Sequence, residues 1–186
     1  LEQVKQWIGN GADILLRRAI QRRYDLQGEM DEALVTRVRQ KFDERYLAGL
    51  DRDFTLFPGV LATLQRLRSA GYRMAVVTNK PHPFVAPLLQ EAGLMPLFDQ
   101  LLGGDLLPQR KPDPAPLLHV CQTQQVAPER SVMVGDSKND VLAAKAAGMP
   151  VIGLTYGYNH GEPIAVSKPD WVMDHFCQLG DLLLAN

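Results

Sequence analysis

Three short polar stretches, each standing directly after an apolar run, carry the residue types that could do chemistry. In VMVGDSKND, Asp136 follows Val132, Met133 and Val134, and Asp140 comes four residues later at the predicted start of a helix, so both carboxylates can face one site. Hard oxygen donors of this kind suit Mg²⁺. The plainer reading makes the segment a turn and helix cap, since Asp, Ser and Asn all serve there; it accounts for one acid more readily than for two. At the end of RMAVVTNK, Thr78 and Asn79 offer a hydroxyl, an amide and backbone N–H groups ahead of a predicted helix, which is how a phosphate oxygen is held. A strand-to-helix turn alone would have the same composition. In QRKPDP, prolines on both sides of Asp113 fix the backbone and could aim Lys111 at the same strand ends, although an isolated lysine is ordinarily a solvated charge and Arg110 competes for the role.

Position gives these residues their weight. Residues 1 to about 50 read as helix, with Ile14, Leu15 and Ala19, then Leu34, Val35, Val38, Phe42 and Tyr46 at three-to-four-residue spacing. From Phe57-Pro58-Gly59 onward helices and strands alternate. Helices are predicted over 60–70, 84–91, 115–123 and 138–147 and from about Phe176, and strands over 73–78, 98–102, 131–134, 151–154 and 171–173. Strands separated by helices of this length imply a parallel sheet covered on both faces, so the fold class is α/β: a doubly wound, Rossmann-like core (53–186) preceded by a small helical cap (1–52). Ligands of such sheets lie beyond the carboxyl ends of the strands. There the sequence places Thr78-Asn79-Lys80, Gly103-Gly104-Asp105 and Gly135-Asp136-Ser137.

Composition narrows the partners. The 186 residues are 46% hydrophobic and 22% charged with a formal net charge of -1, which leaves no broad basic field for nucleic acid or anionic lipid and favours small charged metabolites. Cys121 and Cys177 have neither zinc-site spacing nor disulfide density and are expected to be reduced, core or semi-buried thiols. No apolar run could span a bilayer and no signal peptide is evident, so the expected location is cytoplasmic. A monomer or homodimer is expected.

Val-Val-Thr-Asn, then Lys-Pro about thirty residues on, then Val-Gly-Asp-Ser-x-x-Asp resemble the second, third and fourth motifs of the haloacid dehalogenase-like superfamily in their usual order. Trp7-Ile8-Gly9-Asn10-Gly11, TNKPHPFVAPLL, GGDLLPQRKPDPAPLL and GLTYGYNHGE extend the resemblance over nearly the whole chain, toward the phosphoglycolate phosphatase family. The resemblance implies a Mg²⁺-dependent phosphatase of small phosphorylated metabolites, 2-phosphoglycolate foremost. By it, Thr78 binds the transferring phosphoryl group with Asn79 assisting, and Lys111 neutralises charge. Asp136 coordinates Mg²⁺, with Ser137 and Asp140 supporting it. Gly9, Asn10 and Gly11 belong to the cap part that faces the site and selects substrate.

The departure is at the start. Members of the family open with an apolar strand ending in Asp-x-Asp-Gly-Thr, which supplies the nucleophile and the general acid and base; nothing at the start of this sequence resembles it. Asp51-Arg52-Asp53-Phe54-Thr55 has the letters, but Arg45 to Leu50 continue a helical pattern, so the pair reads as linker. The family's first strand is central, and without it backbone groups in mid-sheet should lack partners. The sequence is therefore expected to start late relative to the natural protein. Two rivals remain: a binding module that holds phosphate and Mg²⁺ without turnover, and a phosphatase or phosphomutase for another small ester. In a phosphoacceptor signalling domain the acceptor Asp precedes the Thr, whereas Asp136 follows Thr78; dehalogenation would leave Asp136 and Asp140 with less to do.

Overall fold

The computed structural model describes residue 4 and residues 7–49 and 55–185; Asp51-Arg52-Asp53 lies outside them. Its first part is two helices, α1 (Ala12–Gln21) and α2 (Glu32–Ala48), packed on each other. The single helical run expected over 1–50 is broken at residues 22–31. Arg22 closes α1 in the left-handed region with φ 55°, Gly28 takes φ 69°, and Asp31 caps α2 by accepting from Leu34 N at 3.1 Å. The buried face of α1 is also shifted from the expected stripe: Ala12, Leu16 and Arg18 are buried, while Ala19 is exposed. Arg18 is accommodated because its guanidinium lies 4.0 Å from the Tyr24 ring centroid and donates to the carbonyls of Trp7 and Tyr24. Arg17 joins the two helices through both oxygens of Glu32, at 2.7 and 2.6 Å.

The second part alternates as expected. It runs α3 (Val60–Ser69), β1 (Ala75–Val77), α4 (Val85–Glu91), β2 (Gln100–Leu102), α5 (Ala115–Thr123), β3 (Met133–Gly135), α6 (Lys138–Ala146), β4 (Val151–Leu154), β5 (Trp171–Met173) and α7 (Cys177–Leu184). All pairings are parallel. Side-chain alternation decides which helices cover which face. Val77, Met133 and Val151 pack with Leu117 and Cys121 of α5 and Val141 and Ala144 of α6, whereas Val134, Ile152 and Leu154 pack with Leu67 of α3 and Leu179 of α7. Helices thus lie on both faces, and the fold is α/β and doubly wound.

The sheet stands in two pieces, β1-β2 and β3-β4-β5. Among the described residues no strand pairs with the second edge of β1 or of β3. The pieces share a core cluster containing Val77 of β1 and Met133 of β3. Cys121 is buried as expected; Cys177, the first residue of α7, is exposed. Among the described residues no helix is long and apolar enough to cross a membrane.

One carboxylate ties the entry of the first piece to its covering helix. Asp99, just before β2, accepts from Met74 N at 2.9 Å and from Arg68 of α3 at 2.7 Å. The Met74 bond first and the Arg68 bond next hold its pKa below the ordinary 3.8. A carboxyl lowered by folding stabilises fully above its unfolded value and loses that contribution as pH falls through its folded value. Asp99→Asn should therefore shallow the fall in urea midpoint below about pH 4, and an unchanged acid limb would show that Asp99 is not held this way in solution.

Candidate active site

The three polar stretches converge at the carboxyl ends of β1 and β3. Lys111 is the joint between them: it is 7% exposed, and its Nζ donates to Val77 O, the last carbonyl of β1, at 2.5 Å and to Asp140 Oδ1 at 2.7 Å. A buried ammonium needs such partners. That geometry decides between the two cations of QRKPDP. Arg110 is exposed and instead reaches Asn10 O at 3.2 Å. Between the two prolines, Asp113 adds a contact of its own, its Oδ1 accepting from Ala115 N at 2.8 Å at the start of α5.

Asp140 is buried and fully occupied. Besides Lys111 it accepts through Oδ2 from Ser137 N at 3.1 Å and Ser137 Oγ at 3.0 Å, the return half of a capping box at the N-terminus of α6. The plainer reading of this stretch, a helix cap, thus holds for Ser137 and Asp140. Asp136 stands apart from it. It is half-buried at the end of β3, accepts from Tyr158 N at 2.8 Å, and makes no ion pair among the described residues. Burial pushes its carboxyl above the ordinary range, and the nearby Asp140 adds to that, against the Tyr158 bond and the Lys111 charge. A hard carboxylate that burial penalises, beside a cleft, fits Mg²⁺, which takes one or two protein carboxylates and completes its shell with water and other oxygens.

Thr78 lies one residue beyond β1; its N donates to Leu102 O and its Oγ1 accepts from Lys80 N at 3.1 Å. Asn79 points back toward the helical unit. Its Nδ2 donates to Gly9 O at 3.1 Å and to Lys111 O at 2.8 Å. Gly9, Asn10 and Gly11 are therefore brought to the strand ends, and Gly11 suits its place because its φ of 87° is one that side chains rarely adopt, with Asn79 O only 3.1 Å from where a Cβ would lie. Sequence reasoning missed Asn139, which is buried and donates to Gly9 O at 3.3 Å and Asn10 Oδ1 at 3.1 Å. Its place in the first turn after Asp136 was the available signal. Gly103 and Gly104 serve packing, since Cβ atoms there would lie 2.3 Å from His82 Cα and 2.5 Å from Asn79 O; Asp105 caps His82 N at 2.7 Å. A cleft of about 380 Å³ opens beside Asp136, walled by Thr155, Gly157, Asn159 and Glu162.

A fold with helices on both faces of a parallel sheet and a Lys–Asp pair joining its strand ends defines a class, and comparison gives the class its family. The family described as haloacid dehalogenase-like hydrolase matches residues 1–148, so the chain belongs to that family. Within it the chain sits among the phosphoglycolate phosphatases and is a phosphatase by class. A Vibrio vulnificus phosphoglycolate phosphatase is 46% identical over 184 residues, 99% of this chain and 81% of that protein. One from Pasteurella multocida is 47% identical over 181 residues, 97% and 81%. A solved structure from Haemophilus somnus, described as a predicted phosphoglycolate phosphatase, superposes with TM-score 0.91 at 42% identity, covering 98% of this chain and 82% of that one.

Proposed function

We propose that the protein is a Mg²⁺-dependent phosphomonoester hydrolase whose substrate is 2-phosphoglycolate, with residues 1–52 as cap and 53–186 as core. The observation that carries the reading is the buried Lys111 ammonium, fixed between the end of β1 and Asp140 and close enough to Asp136 to act on its ionisation. The relatives named for this activity support the substrate.

Phosphoryl transfer depends mainly on positioning and on offsetting charge. Lys111 offsets charge on the phosphoryl oxygens, and Thr78 Oγ1 donates to one of them. Asn79 holds Gly9, keeping Gly9, Asn10 and Gly11 against the substrate. Asp136 would ligate Mg²⁺ directly, with Ser137 and Asp140 fixing the surrounding helix end; when bound, the ion neutralises phosphoryl charge. In the covalent step a carboxylate attacks phosphorus in line, an aspartyl phosphate forms, and the ester P–O bond breaks as the alkoxide leaves with a proton from a neighbouring acid. Water then hydrolyses the acyl phosphate. Both carboxyl groups belong to the family's Asp-x-Asp-Gly-Thr motif, which does not occur among these 186 residues.

The test is phosphate release from a panel including 2-phosphoglycolate, by this chain and by the chain extended with an Asp-x-Asp-Gly-Thr strand of the family type. The extended protein should turn over 2-phosphoglycolate, lose activity in EDTA, and fall about 10²–10³-fold on Asp136→Ala. One second reading, a module that binds phosphate and Mg²⁺ without hydrolysis, suits a sequence in which the Asp-x-Asp-Gly-Thr motif does not occur. Binding with no turnover in either protein would select it.

A further inference from the structure

The loop after β4 is built around one carboxylate. Gly157 has φ 126°, a conformation that side chains rarely adopt, and a Cβ on it would lie 1.9 Å from Asp136 Oδ2 and 2.6 Å from Asp136 Cβ. The next residue donates its backbone N–H to the same Oδ2 at 2.8 Å. Only a glycine lets the chain come this close, and only because it does can the Tyr158 amide reach the oxygen.

The loop is also anchored at both ends. At its start, Thr155 Oγ1 donates to Asp174 at 2.7 Å and the Tyr156 ring packs on Phe57 with centroids 4.5 Å apart. At its end, buried Asn159 accepts from Lys138 N at 2.7 Å and donates to Glu162 O at 2.8 Å. Lys138 is the first residue of α6, the helix entered directly from Asp136 and Ser137. Asn159 therefore fixes the loop to the same helix end that carries Asp136, so carboxylate and loop cannot shift independently. A loop that merely covered the strand ends would need neither the glycine nor this bond.

We propose that residues 156–159 are the positioning element for Asp136: Gly157 makes room, the Tyr158 amide pins Oδ2, and the other oxygen is thereby presented to Mg²⁺. The inference rests on the reading of Asp136 as a Mg²⁺ ligand. The Tyr158 ring takes no part, being 49% exposed; its amide does the pinning. Groups that orient a ligand affect metal affinity without touching the metal.

The experiment uses Mn²⁺ as the spectroscopic stand-in for Mg²⁺, with binding followed by electron paramagnetic resonance and folding by the thermal midpoint. Gly157→Ala should weaken Mn²⁺ binding by about 10–100-fold, and Tyr158→Ala should leave it unchanged. In an Asp136→Gly background, where the obstructing carboxylate is gone, Gly157→Ala should lower the midpoint less than it does in the unsubstituted protein. Equal Mn²⁺ affinity in folded Gly157→Ala, equal damage from Tyr158→Ala, or equal midpoint losses in the two backgrounds would each overturn the proposal. If Gly157→Ala does not fold, the double variant decides: folding supports positioning through Asp136, and failure to fold overturns it. Absence of Mn²⁺ binding by the unsubstituted protein would count against the metal reading alone, because the midpoint comparison needs no metal.

Discussion

Lys111→Met is expected to lower the stability of the protein by about 3–5 kcal/mol, because it leaves the Asp140 carboxylate buried without its cation. Lys111 and Asp140 are 7% and 5% exposed, so solvent cannot take over for the missing partner. The loss should appear as a lower urea midpoint with little change in slope. Part of it should return in Lys111→Met with Asp140→Leu, where no charge is buried. A single-variant loss below about 1 kcal/mol is what an exposed pair gives, and would show that the pair is solvated in solution. In the extended enzyme, the same change should suppress phosphate release beyond what instability explains, since this cation faces the phosphoryl group in the proposed reaction.

The second large effect is expected at Gly135, the last residue of β3. A Cβ there would meet Asp140 Cβ at 2.4 Å and its Cγ and Oδ2 at 2.5 Å. The whole Asp140 side chain would have to move, taking with it the Lys111 pair and the bonds to Ser137. Overpacking and the broken pair together predict a loss of about 3–5 kcal/mol for Gly135→Ala. The cause can be isolated by repeating the substitution in Asp140→Gly, where the obstruction is absent and the increment should shrink to about 1 kcal/mol or less. An undiminished increment would place the strain elsewhere in β3.

Much of this arrangement was legible in the sequence because the signals were local. The helices at 115–123 and the strands at 151–154 and 171–173 fall where pattern and turn residues put them. Strand ends in an α/β sheet are places where polar residues stand out against apolar runs, which is why Thr78, Lys111 and Asp136 could be picked out. The break at residues 22–31 was only partly legible: Gly28 and Asp31 are a breaker and a cap that the sequence reading passed over, whereas Arg22 adopts a left-handed conformation that its residue type does not signal. Nor could the sequence separate the two acids of VMVGDSKND. Spacing places both near one helix end, but only the third dimension gives Asp140 to Lys111 and Ser137 and leaves Asp136 to the loop after β4. Arg110 and Asn139 were illegible as contacts because their partners lie 100 and about 130 residues away.

The carbonyl of Gly9 accepts from Asn79 and from Asn139, and those two asparagines stand on different pieces of the sheet, one just past β1 and the other in the helix after β3. A single oxygen thus senses the spacing of both. If the pieces spread, both bonds lengthen together; if the first segment lifts, both break together. The N-terminal helical unit is thereby tied to both pieces of the sheet through one backbone oxygen, so a change in the gap between β1 and β3 would strain both bonds at once.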